Sequence, residues 1–178
     1  MERWFYQLEK LKAIIAKFDV MFVWLTVFSL GGMTLLITIQ VVLRNLFNAP
    51  LAWSEELARY LFIWMTFIAG YLGARQNKHI GVAALQNALP PLGGRILRFL
   101  SFFICAVFFA IIVVATIQFW PRLMKQTSPA IEMPVAFVYF GMLLGALFMS
   151  IWYLLLAISS LSKEGNVPEL KPEEVENL

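Results

Sequence analysis

Three stretches of the chain carry no charged residue for longer than the roughly 20 positions that cross a hydrocarbon core of about 30 Å: 20–43, 99–121 and 133–162. A fourth, 60–74, is shorter. Extended over Glu55 to Arg75 it reaches about 31 Å at 1.5 Å per residue, which is long enough to cross. This pattern predicts an all-α integral membrane protein with four spans, at about 20–43, 54–75, 97–120 and 134–161.

Ahead of the first span, Trp4, Leu8, Leu11, Ile15 and Phe18 recur at steps of four and three, while Arg3, Gln7, Lys10 and Lys17 fall elsewhere. Residues 1–19 are therefore expected to form an amphipathic helix lying in the headgroup region, with Trp4, Lys10, Lys12 and Lys17 as membrane-interface anchors against phospholipid. Packing of this helix on a soluble partner is the alternative. The first apolar run is long and lacks a small-residue cleavage site, so it reads as a retained anchor and not a removed signal.

Asn45, Asn48 and Pro50 mark a tight loop after Arg44. Ser54 is expected to cap the second span, with Glu55 and Glu56 complementing the positive end of the helix dipole. Between spans two and three, Ile80, Val82, Ala83, Leu85 and Leu89 ahead of Pro90-Pro91 suggest a short interfacial helix. Pro121 is expected to stop the third span, and Pro134 to open the fourth. From Lys163 onward, five glutamates and two prolines predict a disordered tail over 163–178.

Composition agrees with the pattern: 61% of the residues are hydrophobic and 14% charged, against about 45–50% and 25% in soluble domains. The net charge of +3 does not signal nucleic acid, because the basic residues sit at the ends of apolar runs. Ten of them flank the N-terminal segment, the middle connection and the tail, whereas Arg44, Arg122 and Lys125 lie on the other side with Arg59 just inside the second span. The positive-inside rule then puts both termini in the cytoplasm.

The decisive chemical feature is an absence. No Asp, Glu, Lys, Arg or His lies near the middle of a span, which argues against a self-contained proton-coupled carrier. With one histidine, His79, and one cysteine, Cys105, the chain offers no His/Cys metal cluster and no Cys-His pair within a span, so neither an enzyme nor a cofactor is expected. Gly141 and Gly145 read as a close helix contact. The densest polar cluster is Arg44, Trp53, Glu55, Glu56 and Arg59. Arg59 stands four residues after Glu55 and three after Glu56, so it can pair with either. A cap, a dipole complement and an ion pair explain the cluster in one reading; in the other, the same charges meet a partner protein, with Trp53 and Trp64 as anchors.

The stretch VVLRNLFNAPLAWSEELARYLFIWMTFIAGYLGARQNKHIGVAAL, residues 41–85, resembles the signature region of the small membrane subunit, DctQ or SiaQ type, of tripartite ATP-independent periplasmic (TRAP) transporters. Arg44, Trp53, Glu55, Glu56, Arg59, Tyr60, Trp64 and His79 carry the likeness; Ala83 stands where the family often has an acid. The resemblance implies a noncatalytic scaffold subunit in the bacterial inner membrane. It would bind a large elevator-type membrane subunit that takes up an organic acid, of sialic acid or C4-dicarboxylate class, with a sodium gradient. A periplasmic substrate-binding protein would deliver the acid. Two other readings stay open: a self-sufficient homodimeric carrier, and the small subunit of a tripartite tricarboxylate transporter.

Overall fold

A computed structural model describes residues 2–49, 51–75 and 90–161, with the side chains of 2–16 and of Pro91 outside the description. His79, the expected interfacial helix ahead of Pro90-Pro91 and the expected tail lie outside the described residues. Among the described residues there are four helices: α1 (Glu2–Phe47), α2 (Ala52–Arg75), α3 (Pro91–Leu123) and α4 (Ala136–Leu161). All four contain a segment long and apolar enough to cross a membrane.

The boundaries differ from the expected ones for local reasons. The amphipathic segment is not a separate element: α1 is one helix of 46 residues. No proline or glycine occurs before Gly31, so nothing interrupts the hydrogen-bond ladder near residue 20. At α2, Ser54 is 1% exposed and its Oγ donates to the Leu51 carbonyl at 2.8 Å. It sits inside the first turn and does not cap it. Pro91 starts α3 at N1, where a missing N–H costs nothing, and the Gly94 N–H closes on the Pro90 carbonyl at 2.9 Å. Pro121 ends α3 within a turn and not at once, since the helix continues to Leu123.

Helix neighbours follow the order α1, α2, α4, α3. The backbone of each outer helix lies chiefly against one inner helix, with Phe22 of α1 reaching across to Phe148 of α4, ring centroids 5.1 Å apart, so among the described residues the arrangement is an open row and not a closed bundle. The helix α4 is the hub. Its Gly141 and Gly145 let α2 approach so closely that an added Cβ would stand 2.5 Å from the Trp64 ring and 2.7 Å from the backbone of Phe67. On its other side, Tyr153 stacks on Phe109 at 5.9 Å and Ser150 Oγ donates to the Ala106 carbonyl at 3.1 Å. Because an open row has two broad faces, large apolar side chains such as Phe28, Phe108, Ile111 and Ile158 are exposed along it.

Candidate functional site: two polar clamps at opposite ends of the row

The motif residues of α2 divide into two sets because neighbouring helix positions point about 100° apart. Glu55 faces outward. Its carboxylate accepts from Arg59 Nη2 and from Gln40 Nε2 of α1, each at 3.4 Å, and the Arg59–Glu55 pair is largely exposed, at 67% and 63% of the two side chains. An ion pair so open to solvent contributes little.

Glu56 faces inward. One carboxylate oxygen accepts the backbone N–H groups of Ala130 and Ile131, at 2.8 and 3.1 Å, and the other accepts the Tyr60 hydroxyl. These amides belong to the α3–α4 connection, a tight hairpin held by Ser128 N–H to Met133 O at 2.9 Å and Val135 N–H to Gln126 O at 2.8 Å. Glu132 adopts the left-handed conformation, φ 59, that the reversal requires. Ser128 is buried beside the clamp. Glu56 thus does more than complement a dipole: it closes the outer loop onto α2. Lower on α2, Trp64 covers Gly141 and its indole N–H donates to the Phe137 carbonyl at 3.1 Å. Of the remaining motif residues, Arg44 is exposed in the last turn of α1 and Trp53 is 46% exposed at the start of α2; the structure does not join them to the clamp.

The second clamp was not singled out from the sequence. At the other end of the row, Asp19 of α1 and Arg75 of α2 are 2% and 6% exposed. The Asp19 carboxylate accepts Arg75 Nη2 at 2.6 Å, Arg75 Nε at 3.2 Å and the Tyr71 hydroxyl at 3.0 Å. Arg75 also lies over the Trp152 ring, 4.2 Å from its centroid, and the Trp152 indole donates to the Ala74 carbonyl at 3.0 Å. Three helices are thereby tied at one depth by a buried charge pair that is hydrogen-bonded from several sides. That is the condition under which buried charges persist.

Among the described residues no group of His, Cys, Asp or Glu is arranged to hold a metal ion. Every Asp, Glu, Lys or Arg of the helices lies toward an end of its span. The arrangement fastens helices and loops at the two ends of the row.

The family described as "Tripartite ATP-independent periplasmic transporters, DctQ component" matches residues 33–163. The chain belongs to this family. A Haemophilus influenzae protein named "Putative TRAP transporter small permease protein" is 36% identical over 124 residues, covering 68% of this chain and 75% of the relative. The Vibrio cholerae "C4-dicarboxylate TRAP transporter small permease protein DctQ" is 29% identical over 96 residues, 54% of this chain and 41% of that one. A third likeness, 37% over 67 residues, is to the Haemophilus influenzae "Sialic acid TRAP transporter permease protein SiaT"; it covers 34% of this chain and only 11% of the relative, a far longer polypeptide. As a DctQ-family subunit the chain is a multi-pass membrane component of a TRAP transporter and not an enzyme. Small permeases of this kind work with a large permease subunit.

Proposed function

We propose that this subunit is the noncatalytic scaffold of a sodium-driven TRAP transporter, fastened to the large elevator-type permease and widening its static part in the bilayer. The observation that carries this reading is the placement of charge: clamped at the two ends, absent from the middle. A chain built in this way holds shape and leaves the ion and solute path to its partner. The far longer relative named as a permease supports such a neighbour, because a stretch like this chain occurs within a single polypeptide there.

The orientation in this reading has both termini in the cytoplasm and the Glu56-clamped hairpin facing the periplasm, in the inner membrane. The exposed edge at Arg44, Trp53, Glu55 and Arg59 then meets the substrate-binding protein. At 46 residues α1 is about 69 Å long, more than twice the hydrocarbon thickness. Its first turns, with Trp4, Lys10, Lys12 and Lys17, therefore lie outside the core and engage the phospholipid headgroups. The substrate is an organic acid of the sialic acid or C4-dicarboxylate class, both of which are named among the relatives, as is ectoine.

Proteoliposomes test this. The two membrane subunits together with the binding protein take up the acid under a sodium gradient, and leaving out this subunit abolishes uptake. Uptake by the large subunit without it overturns the scaffold role, and accumulation by this chain alone restores the self-sufficient carrier.

A further inference from the structure

One face of α2 carries an order along the membrane normal that its own packing does not use. Glu55, Arg59, Phe62, Thr66 and Gly70 follow one another at helical steps of four and three, and all five are exposed. Counted from Arg75 at the opposite end of the helix, Glu55 stands about 30 Å up, the hydrocarbon thickness, and Arg59 about 24 Å up. A carboxylate thus sits at the hairpin-side boundary, and a guanidinium is anchored one turn deeper. The Arg59 side chain leans toward the N-terminus of α2, as helical side chains do, which lifts its charge toward that boundary. Its contact with Glu55, at 3.4 Å, engages one guanidinium nitrogen; among the described residues Arg59 makes no other hydrogen bond. Glu55 is steadied from α1 by Gln40, also at 3.4 Å. A pair so open adds little to the fold, and its remaining donors and acceptors point to whatever covers the face.

We infer that this face holds a phosphatidylethanolamine of the hairpin-side leaflet, its phosphate on Arg59 and its ammonium on Glu55. In such a lipid the acyl chains run inward, the phosphate lies at the boundary and the primary ammonium is joined to it by two carbons. The helix presents the complementary sequence. Arg59 offers a planar fork of N–H donors for phosphate oxygens, and Glu55, farther out, accepts from the ammonium. Below them Thr66 and Gly70 are small and leave a shallow lane beside Phe62. The Thr66 hydroxyl is already given to the Phe62 carbonyl at 2.7 Å, so the lane asks for no polar partner. Gly70 lies about 16 Å below Arg59, about half of the hydrocarbon thickness and the reach of one acyl chain. Other occupants fit less well. Phosphatidylglycerol has the phosphate but no cation for Glu55, and the quaternary ammonium of phosphatidylcholine has no N–H to donate. A second copy in the same orientation sets Glu55 and Arg59 at the depth of their own counterparts, like charge opposite like charge. The lipid takes the side of the motif that faces the bilayer and leaves Arg44 and Trp53 open above it.

Native mass spectrometry of the delipidated full-length chain tests this, with phosphatidylethanolamine, phosphatidylglycerol and phosphatidylcholine of matched acyl chains added in turn. The ethanolamine lipid is expected to bind about fivefold tighter than the other two, the effect of one exposed charge contact at the upper end of its range. Glu55→Gln brings the ethanolamine and glycerol lipids to equal affinity. Arg59→Gln weakens all three. Glu132→Gln, an exposed acid of the hairpin, keeps the parent preference. Soluble glycerophosphoethanolamine, which has the headgroup without the chains, does not displace the lipid at equal concentration. Equal affinities in the parent chain, a preference that survives Glu55→Gln, or displacement by the soluble headgroup overturns the site. A second readout is the lipid that copurifies with the subunit and the large permease from membranes. The parent complex retains phosphatidylethanolamine and the Glu55→Gln, Arg59→Gln double variant loses it. A parent complex that assembles without this lipid overturns the proposal, because protein then covers the face.

Discussion

The Glu56 carboxylate and the backbone N–H of Ala130 meet at 2.8 Å although 74 residues separate them in the chain. A side chain in the first turns of α2 thus fixes the conformation of the connection between α3 and α4. Two backbone donors and the Tyr60 hydroxyl converge on that carboxylate, whereas Glu55, its neighbour in sequence, contacts only side chains in the open.

Glu56→Ala therefore loosens the 126–135 hairpin and Glu55→Ala does not. Limited trypsin digestion reads this at Arg122 and Lys125, just ahead of the hairpin. Cleavage is expected to quicken by about an order of magnitude in Glu56→Ala, because local opening sets the rate, and to stay at the parent rate in Glu55→Ala. Equal rates in the two variants contradict the clamp.

At the opposite end the Asp19–Arg75 pair predicts strong coupling. Asp19→Asn or Arg75→Leu alone leaves a buried partner uncompensated and costs about 3–5 kcal/mol, while the double change to apolar residues of similar size is close to neutral. Thermal unfolding of the detergent-purified subunit, run as a double-mutant cycle, measures this. Additive single and double losses would mean that the two groups act independently.

Glycines of the same helices are expected to respond in opposite senses. Gly145→Ala drives a methyl to 2.7 Å from the Phe67 backbone, which has no room to yield, and costs about 1–3 kcal/mol. Gly73→Ala meets nothing within 4 Å and gains about 0.5–1 kcal/mol of helix propensity. The signs of the two shifts in melting temperature check the α2–α4 contact.

Topology is accessible through Cys105, the one cysteine of the chain. In a Cys105→Ala background, a cysteine introduced at Thr127, exposed in the hairpin, is expected to react with a membrane-impermeant maleimide added to intact spheroplasts. One introduced at Lys17 reacts only after permeabilisation. The reverse pattern inverts the proposed orientation.

The spans were legible in the sequence because hydrocarbon imposes length and apolarity on every helix that crosses it; the boundary at Leu161 follows from that, whereas Pro134, expected in the first turn of the fourth helix, stands just ahead of its start at Ala136. Register between helices was not. Arg59 is spaced to reach either glutamate, and only the fold shows that it takes Glu55 while Glu56 is occupied by the hairpin. Asp19 stands one position ahead of the first uncharged run and Arg75 reads as an orienting charge, so their pairing was invisible when the two spans were read separately. A signal was present: the two residues lie equally far from Phe47 along the chain, which brings an acid and a base to the same depth once α1 and α2 fold back on each other. Ser54 misled because a serine two residues inside a helix and one at its cap look alike until the preceding turn is seen.

The order of helices in the row differs from their order of synthesis. After α1 and α2 have paired, α3 leaves the ribosome before the helix it packs on, since among the described residues its main contacts belong to α4. Among the described residues, α4 joins the α1–α2 pair to α3. A chain truncated before residue 136 is consequently expected to leave the α1–α2 pair and α3 tethered to each other but unpacked in the bilayer.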